Sequence, residues 1–163
     1  MFEVKEYSGQ REKDYSLVLQ QLQALIEDDT DEISVLANSS ALLNQFLDNI
    51  NWVGFYLWKK DELVLGPFQG LPACTRIAFG KGVCGSALAE KKTLLVPNVH
   101  EFPGHIVCDA ASQSEIVVPM FIGGQAYGVL DIDSPILERF DEIDQQYLEQ
   151  FVEILINHLA TIN

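Results

Sequence analysis

Basic residues are scarce in this chain: 10 Lys and Arg stand against 24 Asp and Glu, a formal net charge of −14. Such a surface repels a phosphate backbone and an anionic bilayer, which argues against nucleic-acid and membrane roles. Also missing is any apolar run approaching the ~20 residues that a bilayer-spanning helix needs. The opening Met1-Phe2-Glu3-Val4-Lys5-Glu6 lacks the basic-then-apolar order of a secretory signal, so a cytoplasmic protein is expected. No internal repeat, low-complexity tract or long linker interrupts the chain, and residues 1–163 suit a single domain. Cysteine is sparse as well. Three is an odd count, and a cytoplasmic setting disfavours permanent disulfides. The ordinary fate of one such thiol is to pack as a small, inert apolar group.

What is present is an ordinary globular composition, 48% hydrophobic and 21% charged. Tyr15 to Glu27 reads as a helix with Leu17, Val18, Leu22, Leu25 and Ile26 on one stripe. Asp28-Asp29-Thr30-Asp31 breaks it and caps a second helix, about Glu32 to Leu47, with Ile33, Leu36, Leu43 and Leu47 on a shared face. The period then changes. Asn51 to Trp58 and Leu63 to Phe68 form a hairpin around Lys59-Lys60-Asp61-Glu62. Val83 to Glu90 is a short helix after Gly80-Lys81-Gly82, and Thr93 to Val96 a strand. Glu115 to Ile122 and Gln125 to Ile132 pair around Gly123-Gly124, a loop that supplies positive φ. A closing helix runs from about Asp141 to Ala160 with Ile143, Tyr147, Leu148, Phe151, Leu155 and Leu159 at helical spacing. This order predicts an antiparallel sheet with helices packed on it, the α+β class.

The segment Gly104 to Pro119 carries the chemistry. It sets Cys108 between His105 and Asp109 in a turn-prone stretch ahead of a β-branched run. Only the thiolate is a nucleophile, and its surroundings set how much thiolate exists. Cys74 follows the loop Gly70-Leu71-Pro72-Ala73, and Cys84 opens a helix, where the N-terminus favours thiolate. Asp131 and Asp133 share strand parity and point to one face, a costly pairing unless a cation or proton sits between them. Trp52 and Tyr56, four apart, share a face of the first strand.

Asn51-Trp52-Val53-Gly54-Phe55-Tyr56 opening the sheet and Gly128-Val129-Leu130-Asp131-Ile132-Asp133-Ser134 closing it resemble a GAF domain. The Gly-His-Ile-x-Cys-Asp-x-x-Ser-x-Ser-Glu-Ile-Val-x-Pro pattern of residues 104–119 further resembles the free methionine-(R)-sulfoxide reductases, stand-alone GAF enzymes. That resemblance implies a six-stranded antiparallel sheet flanked by helices, a homodimer, and no bound cofactor. It casts Cys108 as the nucleophile that attacks the sulfoxide sulfur and is left as a sulfenic acid. Cys74 or Cys84 would then condense with it to a disulfide, which thioredoxin reduces. Glu115, Asp131 and Asp133 would hold the α-ammonium that distinguishes the free amino acid from a peptide-bound residue. Glu115, crowded by the other two, would stay protonated and donate to the departing oxygen. Trp52 and Tyr56 would wall the methyl-thio end.

Two rival readings are open. A ligand-sensing GAF module would act through a partner, since no output domain follows the last helix; release of methionine from the free sulfoxide separates it from the enzyme. A zinc site could draw on His105, Cys108, His100, Cys74 and Cys84, but no paired Cys-x-x-Cys supports it. His158, on the closing helix, is expected at the surface or an interface without a catalytic role.

Overall fold

A computed structural model describes residues 1–162. Its elements are α1 (Arg11–Ile26), α2 (Glu32–Phe46), β1 (Trp52–Lys59), β2 (Glu62–Gly70), β3 (Arg76–Ala78), α3 (Gly82–Glu90), β4 (Leu94–Val96), β5 (Ser114–Ile122), β6 (Gln125–Ser134) and α4 (Glu142–Ile162). The six strands form one antiparallel sheet in the order β3-β2-β1-β6-β5-β4. The expected α+β class and six-stranded antiparallel sheet are what the chain adopts.

Strand parity divides the molecule. Val53, Phe55 and Leu57 of β1, Ile116, Val118 and Met120 of β5, and Leu130 and Ile132 of β6 pack with Leu22, Leu36, Leu43, Phe151 and Leu155 of α1, α2 and α4. Each side chain buried this way contributes roughly 1.5–3 kcal/mol. The alternate residues Trp52, Tyr56, Val117 and Val129 face the other way, against Val83, Cys84, Ala87 and Leu88 of α3. A short helix covers this second face only in part. The uncovered remainder is where the site lies.

Local chemistry explains the boundaries. Asp31 caps α2, its carboxylate accepting from the amides of Ile33 and Ser34 at 2.9 and 3.1 Å. Both hairpins turn on two consecutive residues with positive φ, Lys60 and Asp61 in one and Gly123 and Gly124 in the other, the geometry that matches strand twist. At the start of α4 the Asp141 carboxylate accepts from the amides of Ile143 and Asp144, while the Asp144 carboxylate accepts from the amide of Asp141.

Several expectations need correcting. Helix α1 begins at Arg11 rather than Tyr15, since buried Asp14 accepts from the amides of Ser8 and Gly9 and holds the preceding turn against the helix. Ile33 lies off the packed stripe of α2, whose buried residues are Val35, Leu36, Ser39, Ser40, Leu42 and Leu43, and is 56% exposed. Strand β3 was not expected: three residues are too short for a periodic signal, and Arg76 to Ala78 are extended by pairing with Glu62 to Val64. His158 is half-buried, its Nε2 2.7 Å from the Asp29 carbonyl, and ties α4 to the loop between α1 and α2.

Candidate active site

The pocket on the second sheet face is lined by side chains from four strands' worth of register. Trp52 of β1 pairs with Asp133 of β6, which pairs in turn with Glu115 of β5, so three neighbouring strands direct these side chains to one place. Asp131 lies one pleat along β6, opposite Gly54. Here the absence of a side chain matters. A Cβ on Gly54 would stand 2.3 Å from the Cβ of Phe68 on β2, a ring that stacks on Trp52 at 5.1 Å. Trp52 also stacks on Tyr56, at 5.8 Å.

Two loops close the opening. Cys74 and Cys108, each half-buried, are joined in a disulfide with Cα atoms 5.4 Å apart, and Cys108 lines the pocket. The aromatic floor holds the Cys74 loop: the Trp52 indole donates to the Leu71 carbonyl at 3.2 Å, and the Tyr56 hydroxyl to the Cys74 carbonyl at 2.9 Å. Asn51 holds the other loop, its amide nitrogen donating to the Asp109 carboxylate at 2.9 Å and lying 3.2 Å from the Ser112 hydroxyl. Both loops are therefore fastened to β1 or to the residue just before it. Ile106 of the second loop rests on Gly82, where a Cβ would come within 3.0 Å of its Cδ1. The partly open cavity measures about 40 Å³, room for a few water molecules.

Glu115 and Asp131 are buried at 6% and 5% exposure, and Asp133 is half-buried. Burial raises the pKa of all three, since a carboxylate there loses its hydration. The neighbours then separate them. Asp131 and Asp133 push Glu115 further up, whereas a hydrogen bond from Glu115 lowers both of its partners. A proton shared by the cluster is thus held most firmly on Glu115, which donates to the other two. Cys84 is the free thiol of the chain, buried beside them. The helix start was expected to favour its thiolate. Burial comes first and pushes the thiol well above its ordinary range, and the charges of Asp131, Glu115 and Asp133 add to the rise. A helix terminus cannot offset a dry site with three acids. His105 also lines the pocket; burial and the nearby His100 lower its pKa.

The catalytic and substrate-binding residues expected from the sequence (Trp52, Tyr56, Cys74, Cys84, Cys108, Glu115, Asp131 and Asp133) lie in or against this one pocket. The zinc set drawn from the histidines and all three cysteines does not assemble, because Cys74 and Cys108 are bonded to each other. Among the described residues, the group able to approach a metal ion is instead Cys84, Glu115 and Asp131. Asn51 was missed. It stands at a strand start with nothing in its spacing to link it to residues 109 and 112.

Residues 16–159 match the GAF domain family. Protein YtsP of Bacillus subtilis is 59% identical, over 98% of this chain and 99% of its own length. Free methionine-R-sulfoxide reductase of Escherichia coli is 53% identical, over 85% of this chain and 84% of its own. The X-ray structure of free methionine-R-sulfoxide reductase from Neisseria meningitidis in complex with its substrate superposes with a TM-score of 0.96 at 44% identity, covering 99% of this chain and 98% of that one.

Proposed function

The chain belongs to the GAF domain family and, within it, to the free methionine-R-sulfoxide reductases; on that membership and the pocket's geometry, we propose that it reduces free L-methionine-(R)-sulfoxide to L-methionine. The observation that carries the reading is the meeting, at one cavity, of the Cys74–Cys108 disulfide and the acids Glu115, Asp131 and Asp133.

The chemistry balances as follows. The Cys108 thiolate attacks the sulfoxide sulfur while Glu115 protonates the oxygen. Oxygen passes to Cys108 as a sulfenic acid, and methionine leaves with its sulfur reduced by two electrons. The Cys74 thiol attacks the sulfenic sulfur, a disulfide forms, and the hydroxyl departs with the thiol proton as water. A dithiol reductant then restores both thiols by exchange. Cys74 is our resolving thiol because it already stands at bonding distance from Cys108, whereas Cys84 is buried and held as thiol. Asp131 and Asp133 pair with the substrate ammonium, and Trp52 and Tyr56 contact its methyl-thio end.

We take thioredoxin as the reductant, the cytoplasm as the compartment, and a homodimer of single GAF domains spanning 1–163 as the working form. No bound cofactor is required, since the thiols supply both electrons. The test is single turnover without reductant. Wild type and C74S should each release methionine from the free (R)-sulfoxide, C108S should release none, and only wild type should turn over with thioredoxin. Release by C108S, or none by wild type, overturns the proposal.

A further inference from the structure

The group formed by Cys84, Glu115 and Asp131 offers more than an ammonium subsite. One ligand atom from each lies within 4.8 Å of the others, and all three residues are buried. A sulfur and two carboxylate oxygens so spaced are close enough to converge on one small cation of the kind that takes tetrahedral N, O and S ligands. Two further observations point inward. Asp131 Oδ1 is sealed from solvent and has no hydrogen-bond partner among the described residues. Asp133 lines the same cavity and brings another carboxylate, and the cavity has room for an ion and a water. The thiolate selects against magnesium and calcium, which prefer all-oxygen shells, and for a borderline or soft divalent ion. No lysine or arginine lines this cavity to compete.

We propose that Cys84, Glu115 and Asp131 form a binding site for one divalent ion of the zinc class, and that the ion excludes the amino-acid substrate by occupying the place of its ammonium. The exclusion rests on the substrate reading above; the metal site does not. Zinc is here an inhibitory ligand and takes no part in catalysis. Its attraction is charge: a divalent cation compensates the acids and the sulfur gathered around one cavity.

Disulfide-bonded wild type is the form to test, because Cys84 is then the sole thiol and metal binding cannot be confused with binding to Cys74 or Cys108. Titration with Co²⁺ should produce a near-ultraviolet sulfur-to-cobalt charge-transfer band that saturates at one equivalent and is abolished by zinc. C84S should lose the band, and D131N, which keeps the sulfur, should weaken binding roughly tenfold or more. Thermal melts of both variants identify any that fail to fold. No band in wild type, or a band that persists in C84S, overturns the site. Exclusion is read in the C74S/C108S double variant, where added free methionine-(R)-sulfoxide should displace cobalt. An undiminished band there overturns exclusion. Absence of metal binding alongside normal methionine release sinks the metal site alone, and metal binding without methionine release sinks the substrate reading alone.

Discussion

The Tyr56 hydroxyl donates to the Cys74 carbonyl at 2.9 Å, so one ring serves both as wall of the pocket and as anchor of the loop bearing half of the disulfide. Burial, followed by the charge of Asp131, raises the pKa of this hydroxyl, which keeps it a donor. Y56F should cost about 1 kcal/mol of stability, the usual worth of such a bond. It should slow disulfide formation several-fold more than it slows release of the first methionine. Rapid-quench measurement of methionine and of free thiols in one reaction checks this; equal slowing of both steps would assign Tyr56 to the substrate alone.

Glu115 illustrates a trade of stability for chemistry. Its ordinary pKa of 4.5 is raised on folding, first by burial and then by Asp131 and Asp133. Above that value the folded protein therefore binds a proton that the unfolded chain releases, and stability falls as pH rises from about 4.5 towards the folded value. E115Q removes the proton-linked part of this slope. The variant should be more stable at neutral pH by roughly 0.5–2 kcal/mol, with a flatter pH profile in urea denaturation. Its turnover should fall by roughly 10²–10⁴, as for loss of a general acid.

Gly54 is required by the approach of β2. With a Cβ only 2.3 Å from that of Phe68 and 2.7 Å from its Cα, backbone must move to admit any side chain. G54A should cost roughly 1–3 kcal/mol and displace Phe68 from Trp52. The indole fluorescence should shift accordingly, and KM for the sulfoxide should rise more than kcat falls.

Far from the pocket, Asp144 is 1% exposed and accepts from the Tyr15 hydroxyl at 2.6 Å. It also lies 3.0 Å from a guanidinium nitrogen of Arg11 and 3.4 Å from one of Arg139. D144A leaves the buried Tyr15 hydroxyl without its acceptor, while Arg11 keeps Asp141 and Arg139 keeps Asp48, and should lower stability by about 1–3 kcal/mol. Urea unfolding should show an earlier midpoint at unchanged slope, with methionine release normal in the folded fraction.

Much of this protein was legible before folding was considered. Alternation in β1 and β6 separated Phe55, Leu130 and Ile132 from Trp52, Asp131 and Asp133, because a pleated strand sends neighbours to opposite faces whatever it pairs with. Heptad-like spacing in α4 exposed its core stripe, and the residues around Cys108 marked a thiol site and its family resemblance. Pairing was a different matter. That Glu115 meets Asp131 and Asp133 depends on the register of β5 against β6, and that Cys74 rather than Cys84 joins Cys108 depends on where two loops land above one sheet. Asn51, Gly54 and β3 were unreadable for the same reason: their roles come from neighbours distant in the chain. Periodicity records which side of an element is apolar, while contact and desolvation arise only when elements assemble, so the protonation of Glu115, expected only through the family resemblance, finds its physical cause in the tertiary structure, and the neutrality of Cys84 belonged to that structure alone.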